Sequence, residues 1–255
     1  MCQSVQRRVC FAVACLGAVV FFLFGNFICS PGVVSAQPSE GQRSSQASPA
    51  VSSDHKLGAI SLDPERRLFS VPGVVIRKEP PLEFLAVTKG GFKGYESLLE
   101  LQTDAVGFNL ACILIGLDSE NVRAPKHHFD AAPLQGDRVK LWVSWREKGE
   151  LRRLPAGQLL KAEAMEAIPE EWIYTASVFG PDGRYQAEVD GTLVGFVHDP
   201  ASVIEHRTGF GLNDYGSVAG APERCPDVGT EILFIVEAVS DNPSIPAGSA
   251  TGTAP

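Results

Sequence analysis

The sequence has no cluster of lysine and arginine and is short of cationic side chains throughout. Its 22 basic residues face 30 acidic ones, for a formal net charge of -8. Two of the basic residues, Arg7 and Arg8, stand in an N-terminal segment; without it, 20 basic side chains oppose 30 acidic ones. A domain of that charge stays soluble and repels nucleic acid and anionic membrane surfaces, so neither is expected as a partner. The sequence also lacks a serine in a nucleophile-elbow pattern and any internal repeat. Gly180-Pro181-Asp182-Gly183 is turn chemistry and not a phosphate loop. No cofactor is implied. Beyond residue 29 only two cysteines remain, Cys112 and Cys225, because Cys2, Cys10, Cys15 and Cys29 all lie in the first segment.

That first segment carries an export signal. Arg7 and Arg8 form a positive start, Val9 to Phe24 is apolar without a charge or proline, and Asn26, Pro31 and Gly32 break the run. Val34-Ser35-Ala36 offers the small residues that a signal peptidase reads, with the cut before Gln37. The alternative is an uncleaved anchor, since Val9 to Ile28 is 20 residues, enough to span a bilayer with the positive charges inside. Asn26-Phe27-Ile28 ahead of Cys29 lacks the small residues of a lipidation site. Residues 1–36 are therefore expected to be a signal peptide or N-terminal membrane anchor. The rest is exported, periplasmic or in the cell envelope, and meets the membrane only through the N-terminal segment (residues 9–28) if that is not cleaved.

A linker follows over 37–56. Gln37 to Asp54 is rich in Ser, Gln, Pro and Gly without an aromatic, too polar to offset its chain entropy, and the tail 240–255 has the same character. One folded domain over 57–239 is left. The 44% hydrophobic and 20% charged content are those of a chain that can bury a core.

Strand signals dominate the domain. Ala59 to Leu62 and Arg67 to Val71 flank an Asp63-Pro64-Glu65 turn, which predicts a hairpin. Val74 to Arg77, Leu82 to Thr88, Glu96 to Leu101, Trp172 to Phe179, Thr192 to Val197 and Glu231 to Val236 read as further strands. Val139 to Trp145 alternates, with Val139, Leu141, Val143 and Trp145 on one face. The main helix is expected over 104–117, capped by Thr103 or Asp104 and buried because its body is apolar all round apart from Asn109. Shorter helices are expected at Ala156 to Lys161 and Pro200 to Ile204. The sum predicts an α+β fold: mostly antiparallel sheet with one long buried helix (about 104–117) and a few short helices.

Several motifs together resemble the YdjY-like domain family. They are Lys93-Gly94-Tyr95-Glu96-Ser97-Leu98-Leu99, the helix end Ile113-Leu114-Ile115-Gly116-Leu117, Val139 to Trp145, Trp172 to Ser177, Gly195 to Pro200 and Gly229-Thr230-Glu231. The resemblance covers about 57–239 and implies an exported or membrane-linked bacterial domain of unknown function. Some relatives carry ferredoxin-like labels, which do not fit here, since a cluster needs about four thiolates. Where the family usually shows histidine, this sequence has Tyr95, and it also has Asn109 where relatives often have histidine. Ala105 replaces a typical first-turn proline. Neither tyrosine nor asparagine is a base near neutral pH, so a metal or acid–base role is weakened.

Two functional readings follow. Tyr95, Glu96, Ser97 and Asn109 can form a small polar pocket that binds a ligand, or a structural network tying helix to sheet. His127, His128 and Asp130 make a weak metal candidate, because adjacent residues rarely point at one ion. Asp199-Pro200 after His198 reads as a helix start. Cys112 and Cys225 are a disulfide candidate in a compartment that permits one; the alternative for Cys112 is a small buried hydrophobe. The favoured reading is a non-catalytic extracytoplasmic domain that binds a small ligand or an envelope protein. The alternative is a hydrolase-type enzyme using Glu96.

Overall fold

A computed structural model describes residues 55–163, 165–209 and 216–239. The signal or anchor, most of the linker and the C-terminal tail lie outside the described residues.

Thirteen strands and two α-helices follow one another along the described residues: β1 His55–Leu57, β2 Ile60–Asp63, β3 Leu68–Val75, β4 Phe84–Thr88, β5 Ser97–Leu101, α1 Ala105–Leu114, β6 Arg138–Glu147 and β7 Glu150–Pro155, then β8 Leu160–Lys161, β9 Trp172–Tyr174, α2 Gln186–Asp190, β10 Thr192–Gly195, β11 Ile204–His206, β12 Ala219–Gly220 and β13 Glu231–Ala238. Single 3-10 turns cover Phe92–Glu96 and Ala156–Leu159.

Eight of the strands close on themselves in the order β3-β13-β6-β9-β11-β10-β4-β5, and β5 returns to β3. The result is a β-barrel, mostly β, and this overturns the α+β expectation. The predicted hairpin forms, with Asp63 opposite Leu68 and a turn bond from Arg67 N–H to the Pro64 carbonyl (3.1 Å). β1 and β2 then extend β3 outside the barrel, and β7 extends β6.

Closure depends on how β3 uses one edge twice. Its first half, Leu68 to Ser70, pairs with β2; its second half, Gly73 to Val75, pairs with β5. Pro72 stands between the halves, where a residue without an N–H costs no ladder bond. At Gly73 the strands come so close that a Cβ would lie 2.6 Å from the Glu100 carbonyl oxygen and 2.7 Å from Leu101 Cδ2.

The alternation read in β6 holds: Val139, Leu141, Val143 and Trp145 are buried, and β13 answers with Ile232, Phe234, Val236 and Ala238. β4 is buried on both faces. It runs parallel to β5, its neighbour in sequence, over a connection of only residues 89–96.

The main helix is shorter than expected and only half buried. Asp104 caps it by accepting from Gly107 N–H (2.6 Å). At the other end Arg67 donates to the carbonyls of Ile115 (3.2 Å) and Gly116 (2.9 Å). Ala105, Phe108, Ala111 and Cys112 face inward, with Phe108 edge-on to Phe69 at 5.3 Å. Val106, Leu110, Ile113 and Leu114 are exposed. An apolar sequence on all sides implied full burial, but the barrel supplies a surface for one face alone. Of the short helices, 156–161 is a 3-10 turn followed by β8, and 200–204 is not helical but leads into β11.

Candidate functional site

Parallel pairing brings two glutamates together. Glu83 precedes β4 and Glu96 precedes β5, and Glu83 N–H donates to the Glu96 carbonyl at 2.9 Å. Both side chains are buried. Lys93, one turn before Glu96, donates from Nζ to its Oε1 at 2.7 Å. His128 arrives from the loop before β6 and sets Nε2 3.1 Å from Glu83 Oε2.

Burial, and after it the charge of Glu96, push the Glu83 carboxyl above its ordinary range, while His128 and Lys93 pull the other way. Burial disfavours the Lys93 ammonium, but the hydrogen bond and charge of Glu96, helped by Tyr95, outweigh it and hold the ammonium above its usual value. The four groups form one internally compensated cluster.

The four expected pocket residues do not converge. Glu96 bonds to Lys93, and Ser97 Oγ donates to the Lys93 carbonyl at 2.7 Å. Tyr95 is turned to solvent, edge-on to Phe92 at 6.0 Å, with Lys93 Nζ 5.8 Å from its ring centre. Asn109 accepts from the Tyr174 hydroxyl at 2.7 Å, which ties α1 to β9.

The histidine–aspartate candidates separate in the same way. His127 Nδ1 lies 2.9 Å from the His128 carbonyl, and His128 turns to Glu83. Asp130 accepts from the N–H groups of Lys126 and Ala132, both at 3.0 Å, and these bonds hold its carboxyl below its ordinary value. Among the described residues no three His, Cys, Asp or Glu side chains are grouped to hold a metal ion. Cys112 and Cys225 are buried with free thiols. Burial pushes both upward, Cys225 to about 11, which leaves them poor nucleophiles.

A second buried polar group went unread in the sequence. Glu205 on β11 is fully buried, accepts from Asp199 N–H at 3.1 Å and is pushed well above the carboxylate range by burial. Next to it, burial lowers the His206 imidazole to about 4; its Nε2–H donates to the Pro169 carbonyl (3.1 Å), and its ring stands edge-on to Trp172 at 5.4 Å. His198 sets its ring nitrogens 2.5 Å from the Asp130 carbonyl and 2.7 Å from the His206 carbonyl.

An open cleft of about 640 Å³ lies elsewhere, where β4 and β5 end. Thr88 to Phe92, Gln102 to Asp104, and Glu188, Val189 and Gly191 line it. Two loops meet there at Gly191, whose φ is +75° and whose missing Cβ would lie 2.5 Å from Gly91 Cα. Thr88, Gln102 and Thr103 offer neutral hydrogen-bonding groups, and Phe92, 71% exposed, stands in the lining. The two carboxylates are engaged on helix α1: Asp104 with Gly107 N–H, Glu188 with Ala105 N–H (3.0 Å). Among the described lining residues there is no nucleophile–base pair. No protein-family model, curated protein or solved structure matches the chain. Among the described residues no helix is long and apolar enough to cross a membrane.

Two signals for the missed groups were present in the sequence. Glu83 is the one charge in the run Leu82 to Val87, and Lys93 stands three residues before Glu96, one helical turn away.

Proposed function

We propose that this chain is an exported, YdjY-like, non-catalytic module that binds a small ligand or an envelope protein. One observation carries the reading. The ionisable groups Glu83, Lys93, Glu96 and His128 are engaged with one another, while the open cleft offers neutral hydrogen-bonding groups, the Lys89 ammonium and an aromatic ring. That is the inventory of a recognition surface, in which placed polar groups orient a ligand against an aromatic face.

A hydrolase reading keeps one observation in its favour. Glu83 and Glu96 are paired carboxylates in unlike environments, one pushed upward and the other beside an ammonium, and such pairs divide acid and base roles.

The melting midpoints of Glu96→Ala and Glu96→Gln separate the two. In a binding module Glu96 is structural, and alanine strands the largely buried Lys93 ammonium at a cost of about 1–3 kcal/mol. Glutamine keeps an acceptor and loses less. A midpoint unchanged or raised in Glu96→Ala favours the enzyme, because working sites hold polar groups the fold does not need.

A further inference from the structure

Helix α1 carries no charged residue in AVGFNLACIL, yet one face of it meets solvent. Val106, Leu110, Ile113 and Leu114 recur at helical spacing on that face and are 56%, 41%, 51% and 48% exposed. Helix α2 packs against α1 and adds Val189, 39% exposed; Phe179, 73% exposed, leans on Tyr185 at the start of α2 with ring centres 5.4 Å apart. A surface helix ordinarily turns polar residues outward, and a contiguous apolar patch of this kind marks an interaction site.

The geometry points to a second copy of this chain as the occupant, with the two α1 helices antiparallel about a two-fold axis near Leu110. Two arguments select this partner over another protein or a bilayer. The first is charge. The N-terminal end of α1 is flanked by Asp104 and Glu188, and its C-terminal end by the guanidinium of Arg67. In an antiparallel pair each acidic end faces the other copy's Arg67 end, and the uncharged middles meet. Arg67 uses Nε and Nη2 on the carbonyls of Ile115 and Gly116 just past α1, and a guanidinium has five donors, so some remain for a carboxylate. An isologous contact requires this kind of self-complementarity. An anionic bilayer, by contrast, would meet the two carboxylates.

The second argument is area. The exposed parts of these six side chains come to roughly 500 Å², which is about the apolar share, near 60–65%, of the roughly 800 Å² per partner that a standard interface buries. The face lies beside the cleft and shares Asp104, Glu188 and Val189 with it, but the pairing does not depend on what the cleft binds.

Sedimentation equilibrium on the chain from Gln37, whose barrel is closed wholly by residues between 55 and 239, tests the pairing between 1 and 500 μM. Twice the chain mass is expected at the upper end, with dissociation on dilution. Leu110→Glu should weaken the dimer at least tenfold while the circular dichroism stays that of the parent. Orientation is read by oxidation: Leu110→Cys should cross-link to itself, and Val106→Cys should cross-link to Leu114→Cys in a mixture but not to itself. A monomer up to 500 μM, a dimer untouched by Leu110→Glu, or self-linking of Val106→Cys would each overturn the proposal.

Discussion

Two adjacent residues on β11 carry opposite proton linkages. Glu205 binds its proton more tightly in the fold than in the unfolded chain, because burial pushes its carboxyl well up. His206 binds its proton less tightly, because burial lowers it to about 4. Between about pH 4.3, where an unfolded glutamate titrates, and about pH 6.5, where an unfolded histidine does, the unfolded chain gains one proton at 206 and loses one at 205. The two slopes cancel there. Above about pH 6.5 the histidine contributes nothing further, and of the two Glu205 makes stability fall as pH rises, by at most about 1.4 kcal/mol per unit. Glu205→Gln replaces a neutral acid by a neutral amide of the same shape and keeps an acceptor for Asp199 N–H. Urea titrations from pH 4 to 8, below the range in which the unfolded chain's cysteines ionise, should show the stability of the variant relative to the parent rising with pH by up to about 1.4 kcal/mol per unit. A variant that declines above pH 6.5 as steeply as the parent would show that Glu205 ionises inside the fold.

At the scale of the element, the barrel depends on one missing side chain. Gly73 lets β5 reach the second half of β3, and the oxygen nearest its absent Cβ belongs to backbone, which cannot swing aside. Gly73→Ala should cost about 1–3 kcal/mol, in the range of overpacked interiors. Hydrogen exchange should rise first in Ser97 to Leu101, while the β13–β6 ladder stays protected. Equal acceleration in both would place the seam elsewhere. Such a seam is beyond what a sequence displays. The alternation of Val139 to Trp145 and the turn at Asp63-Pro64-Glu65 are local, and both were legible. Which strand lies beside which is a long-range matter, and β3–β5 and β4–β5 leave no periodicity behind. The helix misled for a related reason: its apolar composition is local, but how much of it is covered depends on the neighbouring strands. The candidate site was read in part. Glu96 and Ser97 were picked out as polar residues in an apolar run, but their partner Lys93 is found by the 3-10 turn, and Asn109 went to Tyr174 on a strand far along the chain.

For the whole molecule, the last strand is the most consequential. β13 pairs with β3 on one side and β6 on the other, through seven residues in each ladder. A chain ending at Thr230 therefore opens the barrel along both edges, and it should show neither a cooperative thermal transition nor dispersed amide resonances. A chain ending at Val239 should keep both. A folded, cooperative 55–230 would mean that the first strands and the sixth find another closure. The position of β13 also sets a clock. A nascent polypeptide can begin to fold as soon as a self-sufficient unit has emerged, but here the first long strand waits for a partner encoded at the far end of the domain, and such distant pairings form slowly. Until Ala238 has left the ribosome the barrel cannot close. Protease resistance in timed synthesis should accordingly appear in one late step, and the export we propose would have to use the interval before it.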